Sequence, residues 1–217
     1  MIYLISDTHN GESMKGLLAY LEVAKKDDLL LILGDVGIAF GDSAETRRFT
    51  EYFEALDVNI AFIDGNHENH PYINAFPLDT AFGAPVHRIS KSIVHLMRGN
   101  IYSIEGKSFF VMGGCKSSAK WKELGLYYEG EEPTSEEISL AYENLKKCGN
   151  KVDYILTHKY IIEKEKRAGA DALTLEGLMN YLDESVDFSH WYSGHWHSAF
   201  KIDGKHTVVY DKLCPLS

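Results

Sequence analysis

Three runs of uninterrupted apolar residues mark the first third of the chain: Ile2 to Ile5, Leu29 to Leu33 and Ile60 to Ile63. A strand that is apolar on both faces belongs inside a sheet covered on both sides. Between the runs, Met14, Leu17, Leu18, Leu21 and Ala24 recur at helical spacing, and Thr46 to Leu56 places Phe49, Phe53 and Leu56 on one helical face. The order β-α-β-α-β predicts parallel strands joined by helical crossovers. From Ser92 the rhythm shortens. Ile93 to Leu96, Asn100 to Ile104 and Lys107 to Met112 read as strands with tight connections at Arg98-Gly99 and Glu105-Gly106, a meander that adds an antiparallel portion. Pro133-Thr134-Ser135-Glu136-Glu137 is a capping box, with Thr134 as N-cap, opening a helix with Ile138, Ala141, Leu145 and Cys148 inward. A strand over Val152 to Leu156, a helix over Thr174 to Leu182 and a strand over His190 to Ser193 follow. Asp203-Gly204 is a turn between Phe200 to Ile202 and Thr207 to Tyr210. No linker-like composition interrupts the pattern, so a single α/β domain with α+β elements is expected over residues 1–217.

The polar residues matter for where they stand. Five strands or strand-like runs end in metal-capable side chains: Asp7 and His9, Asp35, Asn66, His158, then His195 and His197. Strands that share a direction bring their carboxyl ends to one edge, the usual binding edge of α/β folds. Residues two apart in extended backbone point the same way, so Asp7 with His9 and His195 with His197 read as two pincers, with Trp196 turned away into packing. In Gly65-Asn66-His67-Glu68, Asn66 offers a neutral oxygen to a metal, His67 can shuttle a proton, and Glu68 can orient that imidazole. Each cluster alone reads equally well as a turn or a satisfied core residue. Their conjunction, each just beyond an apolar strand, points to one site.

A content of 45% hydrophobic and 25% charged residues is that of an ordinary soluble globular protein. The formal net charge of −10 disfavours long nucleic acid and anionic membrane, both of which need basic surface. An anionic substrate stays possible where metal ions reverse the charge locally. Three widely spaced cysteines, Cys115, Cys148 and Cys214, make neither a disulfide framework nor a zinc knuckle, which favours a reducing cytoplasm. Met1 to Asp7 has no basic n-region and too short an apolar stretch for a signal peptide. No segment approaches the roughly 20 apolar residues of a membrane span.

The ordered set D-x-H, G-D, G-N-H-[DE], H, G-H-x-H, here Asp7 to His197, resembles the calcineurin-like metallophosphoesterases. The resemblance implies a four-layer αββα sandwich, two mixed β-sheets flanked by helices, with two metal ions at the strand ends. Asp7, His9, Asp35 and His197 would hold one ion. Asp35, Asn66, His158 and His195 would hold the other, with Asp35 bridging. Imidazole, carboxylate and amide ligands without thiolate suit Mn, Fe, Zn or Co rather than Cu(I). Two such ions about 3.5–4 Å apart activate a bridging water and clamp phosphoryl oxygens. The implied reaction is hydrolysis of a phosphomonoester or phosphodiester by in-line attack of a metal-bridging hydroxide. His67 would protonate the leaving oxygen and Glu68 would orient His67.

Departures from the pattern limit the substrate reading. Ser/Thr protein phosphatases continue G-D with x-V-D-R-G, but Gly34-Asp35 continues Val36-Gly37-Ile38-Ala39-Phe40, without that acid and arginine. Cys115 lacks the arginine six residues on that a cysteine phosphatase needs; Trp121 stands there. The segment Cys115 to Glu132 carries Lys116, Lys120, Lys122, Trp121, Tyr127 and Tyr128. These either cover a phosphorylated small molecule or nucleotide as a lid, or pack a long loop onto the core. His70, His87, His95, His190 and His206 match no motif, and exposed or packing roles are expected for them. A nucleotide phosphodiesterase or nuclease, a Ser/Thr-type protein phosphatase and an inactive interaction scaffold are the alternatives. The complete ligand set counts against the last.

Overall fold

The computed structural model describes all residues except 10–14, 38–43, 45, 46, 49, 50, 53, 54, 56, 57, 125, 126, 164–166 and 217. Two mixed sheets lie face to face with helices outside, an αββα sandwich. The first sheet has the order β13 (Cys214–Pro215), β1 (Ile2–Ile5), β2 (Leu29–Leu33), β3 (Asn59–Ile63), β6 (Ile93–Leu96), β5 (Ala84–Arg88), β4 (Leu78–Ala81). The second runs β11 (Phe200–Lys201), β12 (His206–Val208), β10 (His190–Ser193), β9 (Tyr154–Thr157), β8 (Lys107–Met112), β7 (Ile101–Ile104). Helices bounded by described residues are α1 (Lys15–Val23), α2 (His70–Ile73), α3 (Ala119–Glu123), α4 (Ser135–Lys147) and α5 (Leu175–Ser185).

Period-two alternation divides each central strand between two cores. Leu29, Leu31 and Leu33 join Ile2, Leu4, Ala61 and Ile63 against Phe109, Val111 and Leu156, between the sheets. Leu30 and Ile32, on the opposite face, join Ile5, Ile60 and Phe62 under Leu17 and Tyr20 of α1. On the far side, Phe110, Met112, Ile155 and Trp191 pack beneath Ile138, Ala141 and Leu145 of α4 and Leu178, Met179 and Leu182 of α5. The all-apolar runs are thus strands buried on both faces. β1, β2 and β3 run parallel, as do β8, β9 and β10. Two sets of carboxyl ends therefore open onto one edge.

Helix α4 starts as its sequence signals: Thr134 accepts from the Glu137 N–H, and the Glu137 carboxylate accepts from the Thr134 N–H. Thr174 caps α5 through the Gly177 N–H. Other expectations need correction. β6 does not belong to the meander: it pairs parallel with β3, and the chain then crosses to the second sheet, where only β7 and β8 form the hairpin. Cys148 is the exposed C-cap of α4 and does not face the core. The hairpin of β4 and β5 escapes the apolar pattern because Leu78, Asp79 and Thr80 are exposed and Pro85 sits in its edge region. Of the helix expected over Thr46 to Leu56, residues 47, 48, 51, 52 and 55 are helical, while Thr46, Phe49, Phe53 and Leu56 lie outside the described residues, as does Met14. Among the described residues, no helix is long and apolar enough to cross a membrane.

Candidate metal centre

Every predicted ligand reaches the shared edge, five of the seven by a backbone route that extended geometry does not give. Asp7, His9, Asp35, His195 and His197 all have positive φ, between 44° and 73°. This left-handed conformation is costly for residues with a Cβ and concentrates at functional sites. The two pincers are therefore curled turns: Asp7 and His9 stay in one donor group, whereas His195 joins the other group and His197 that of Asp7. Trp196 is not turned into packing; it is 38% exposed, with its indole N–H 3.4 Å from the Tyr160 carbonyl. Glycines make the close approach possible. A Cβ on Gly65 would collide with Asp35, and one on Gly194 would collide with the side chain of Ser6.

In the first group, Asp7, His9, Asp35 and His197 converge with ligand atoms within 4.8 Å of one another. His9 Nε2 faces His197 Nε2 at 3.0 Å, and His197 Nε2 lies 3.4 Å from Asp7 Oδ1. Asp7 Oδ1 is buried and has no hydrogen-bond partner among the described residues, while Oδ2 accepts from the His195 N–H at 2.9 Å. An orphaned carboxylate oxygen beside two imidazole nitrogens is costly unless a cation satisfies all three.

In the second group, Asn66 Oδ1 lies 3.1 Å from both His158 Nε2 and His195 Nδ1, which are 3.3 Å apart. Asp35 Oδ2 stands between the groups, 3.7 Å from His9 Nε2 and 3.5 Å from His158 Nε2. His158 donates Nδ1–H to the Leu33 carbonyl at 2.8 Å, which leaves Nε2 as the lone-pair donor toward the site. Ser117 accepts from Asn66 Nδ2 at 3.0 Å and so turns Oδ1 inward.

Electrostatics at the edge favour a cation. Burial opposes charge on His158, but Asp35 beside it prevails and lifts the imidazole to about 10. Burial raises Asp35, yet His158 and His9 hold it below the ordinary carboxylate range. Burial, then the charge of His158, pushes His195 down to about 2. His9 falls because it is buried, and His197 rises because the Asp7 carboxylate stands beside it.

His67 is half-buried at the mouth. Its N–H donates to Asp35 Oδ1 at 2.8 Å, and its ring lies 5.8 Å from that of His9. Glu68 does not orient it. The Glu68 carboxylate is fully buried and accepts from the backbone N–H groups of Asp35, Val36 and Gly65, tying the turn after β2 to the turn after β3. Burial pushes this carboxyl up to about 8. The residue two places past the ligand thus shapes the backbone of both turns instead of steering the imidazole beside it.

Several residues at the site were not anticipated. Cys115, fully buried, points its thiol at Asn66 Oδ1 from 3.3 Å and lies 3.7 Å from His195 Nδ1. It follows the end of β8, which is parallel to β9, so it too stands beyond a strand end on the shared edge. Burial pushes this thiol well up from its ordinary value. Tyr210 stacks on His197 at 5.4 Å. Trp121 of α3 meets the His67 ring edge-on at 5.2 Å, so the irregular segment does reach the site. Lys122 is engaged with the buried Glu131 at 3.0 Å. The unassigned histidines are mostly in polar networks: His95 and His70 lie against Asp64, His87 against His95, and His206 between Asp183 and Asp203.

Two packed sheets thus bring carboxylates and imidazoles that could hold metal ions to one edge. The sequence profile of the calcineurin-like phosphoesterases matches residues 1–199, and the chain belongs to that family. The family is one of metal-dependent phosphoric ester hydrolases. Among curated proteins, none matches the chain.

Proposed function

We propose that the two donor groups hold two divalent or di/trivalent metal ions sharing Asp35, and that the protein hydrolyses a phosphomonoester or phosphodiester. The observation that carries this reading is the position of Asp35 Oδ2, within 3.7 Å of an imidazole nitrogen of each group. The orphaned Asp7 Oδ1 supports the fit of the first group. Asp7, His9, Asp35 and His197 would hold one ion and Asp35, Asn66, His158 and His195 the other. When bound, the ions supply Lewis acidity for the phosphoryl oxygens and for water. Two divalent ions against two ligand carboxylates leave a formal surplus of two positive charges, and neutral Asn66 preserves it.

His67 holds the proton for the leaving oxygen. Its backbone is fixed by Asp35 and its ring is flanked by His9 and Trp121. Glu68 keeps the two ligand turns in register, and Ser117 keeps Asn66 facing inward. Trp121, 38% exposed beside His67, offers an aromatic edge to a substrate, which supports a nucleotide or other ring-bearing phosphoester over a simple one. Free cysteines support a reducing, cytoplasmic setting.

The test is metal reconstitution after chelation, with p-nitrophenyl phosphate and its bis ester as substrates. Two ions per chain and metal-dependent turnover are expected, and the ratio of the two rates ranks monoester against diester. Binding of no ion, or turnover that ignores the ions, would overturn the reading. His67→Ala is expected to keep both ions and lose roughly 10²–10⁴-fold in rate, most with poor leaving groups. Unchanged turnover in that variant would remove the assigned role.

A further inference from the structure

Resting on the two-ion reading, we infer that Cys115 is a ligand of the ion held by Asn66, His158 and His195, making that position thiophilic and selecting Zn(II) or Co(II) over Mn(II) and Mg(II). The ligand atoms of Cys115, His158 and His195 all lie within 4.8 Å of one another. The separations from Sγ to Asn66 Oδ1, 3.3 Å, and to His195 Nδ1, 3.7 Å, accompany donor separations of 3.1 and 3.3 Å among Asn66, His158 and His195. Ligands at roughly 2.0–2.3 Å from one ion, with neighbouring bonds opened by about 90–110°, stand about 2.8–3.8 Å apart, which spans the separations seen here and leaves room for Asp35 as a further ligand.

The backbone that aims the sulfur has little latitude. A Cβ on Gly113 would strike Asp64, and one on Gly114 would strike the Glu131 carbonyl and the Arg98 guanidinium, so the turn is pressed against a buried ion pair on its other side. The first donor group, Asp7, His9, Asp35 and His197, contains no sulfur, and the His197 side chain is 51% exposed. One position is therefore dry and soft, the other wetter and built of oxygen and nitrogen. Soft thiolate ligands favour zinc-like ions, whereas carboxylate and water favour manganese and magnesium. The two positions should load different metals. On binding, the sulfur–metal bond forms, the S–H bond breaks, and the proton leaves to buffer with no change of oxidation state; the thiolate lowers the formal surplus of the two-ion site from two positive charges to one.

Cobalt reads the sulfur directly. The wild-type protein, stripped and reloaded with Co(II), is expected to show a near-ultraviolet sulfur-to-cobalt charge-transfer band, worth one thiolate per chain. X-ray absorption should place one sulfur at about 2.3 Å from the ion. Cys115→Ser should lose the band while still binding two ions, with zinc affinity lower by roughly tenfold or more and manganese affinity nearly unchanged. Two cobalt ions bound to wild type with no such band and no sulfur neighbour would overturn the inference, leaving Cys115 as a hydrogen-bond donor to Asn66, while the two-ion reading survived. No cobalt bound at all would overturn both. Because the wild-type spectrum alone decides, poor folding of the variant does not blunt the test.

Discussion

Two buried carboxylates bracket the residues after β2 and β3, and their surroundings differ in kind. Asp64, the first residue after β3, is saturated: Arg98 donates to Oδ2 from Nε at 2.8 Å and Nη2 at 2.6 Å, and His95 Nε2 meets Oδ1 at 3.0 Å. Glu137 takes the remaining Arg98 nitrogen at 3.1 Å. Among the described residues, Asp35, after β2, has backbone support on one oxygen, while the other faces two imidazole nitrogens across gaps too long for hydrogen bonds. A buried charge that the protein satisfies by itself is structural; one that converges with lone pairs and lacks a partner is arranged for something else. Sequence spacing does not tell the two aspartates apart. Partner counting does.

Breaking each side should therefore produce opposite phenotypes. Asp35→Asn is expected to abolish binding of both ions and turnover, exceeding the roughly 10–100-fold loss of an outer-shell change, while the metal-free protein unfolds near the wild-type denaturant midpoint. Equilibrium dialysis and urea titration check both halves, and retention of two ions would break the contrast. Arg98→Ala should do the reverse. It strands Asp64 without a counter-charge, at a cost of about 3–5 kcal/mol in stability, while the chains still folded bind two ions. A variant as stable as wild type would show that the buried pair contributes nothing. Ser117→Ala releases the Asn66 amide and should weaken one ion of the two by roughly 10–100-fold, visible as a split in a metal titration.

The smallest expected effect is in the pH dependence of stability. Burial holds both His70 and His87 down at about 4, against an ordinary value of 6.5. Between those values the unfolded chain takes up protons that the folded chain refuses, so stability falls as pH drops from about 6.5 toward 4. Asp64 does not share that window. Burial pushes its carboxyl up, but Arg98 and His95 prevail and hold it well below 3.8, so its contribution is present above that value and is lost only in stronger acid. Urea midpoints at pH 7 and pH 5 should show the fall, and His87→Gln should make it shallower. An equal fall in the variant would remove His87 from this account.

The strands that bear Asp7, Asp35 and Asn66 were legible because their apolar runs are unbroken and largely buried, and each is followed within a few residues by a side chain costly to bury. The positive φ at Asp7, His9, Asp35, His195 and His197 was not legible, since alternation rules assume an extended chain beyond the strand. Cys115 fits neither a zinc knuckle nor a nucleophile with an arginine partner, so no sequence motif marks it. Its placement depends on β8 lying beside β9, a tertiary pairing that no local pattern carries. Glu68 misled for a related reason: adjacency in sequence suggested His67 as its partner, whereas the fold surrounds it with backbone N–H groups.

The contact of His195 N–H with Asp7 Oδ2 joins the first strand of one sheet to a late strand of the other across 188 positions, and His158 reaches Leu33 in the same way. Any ion seated at that edge draws ligands from both halves of the sandwich and so clasps them. Its binding energy then counts toward holding the sheets together, about 2.7 kcal/mol at a hundredfold excess over its dissociation constant. Chelation should loosen this seam first, and a chain refolding in cation-rich solution should close it last and most tightly.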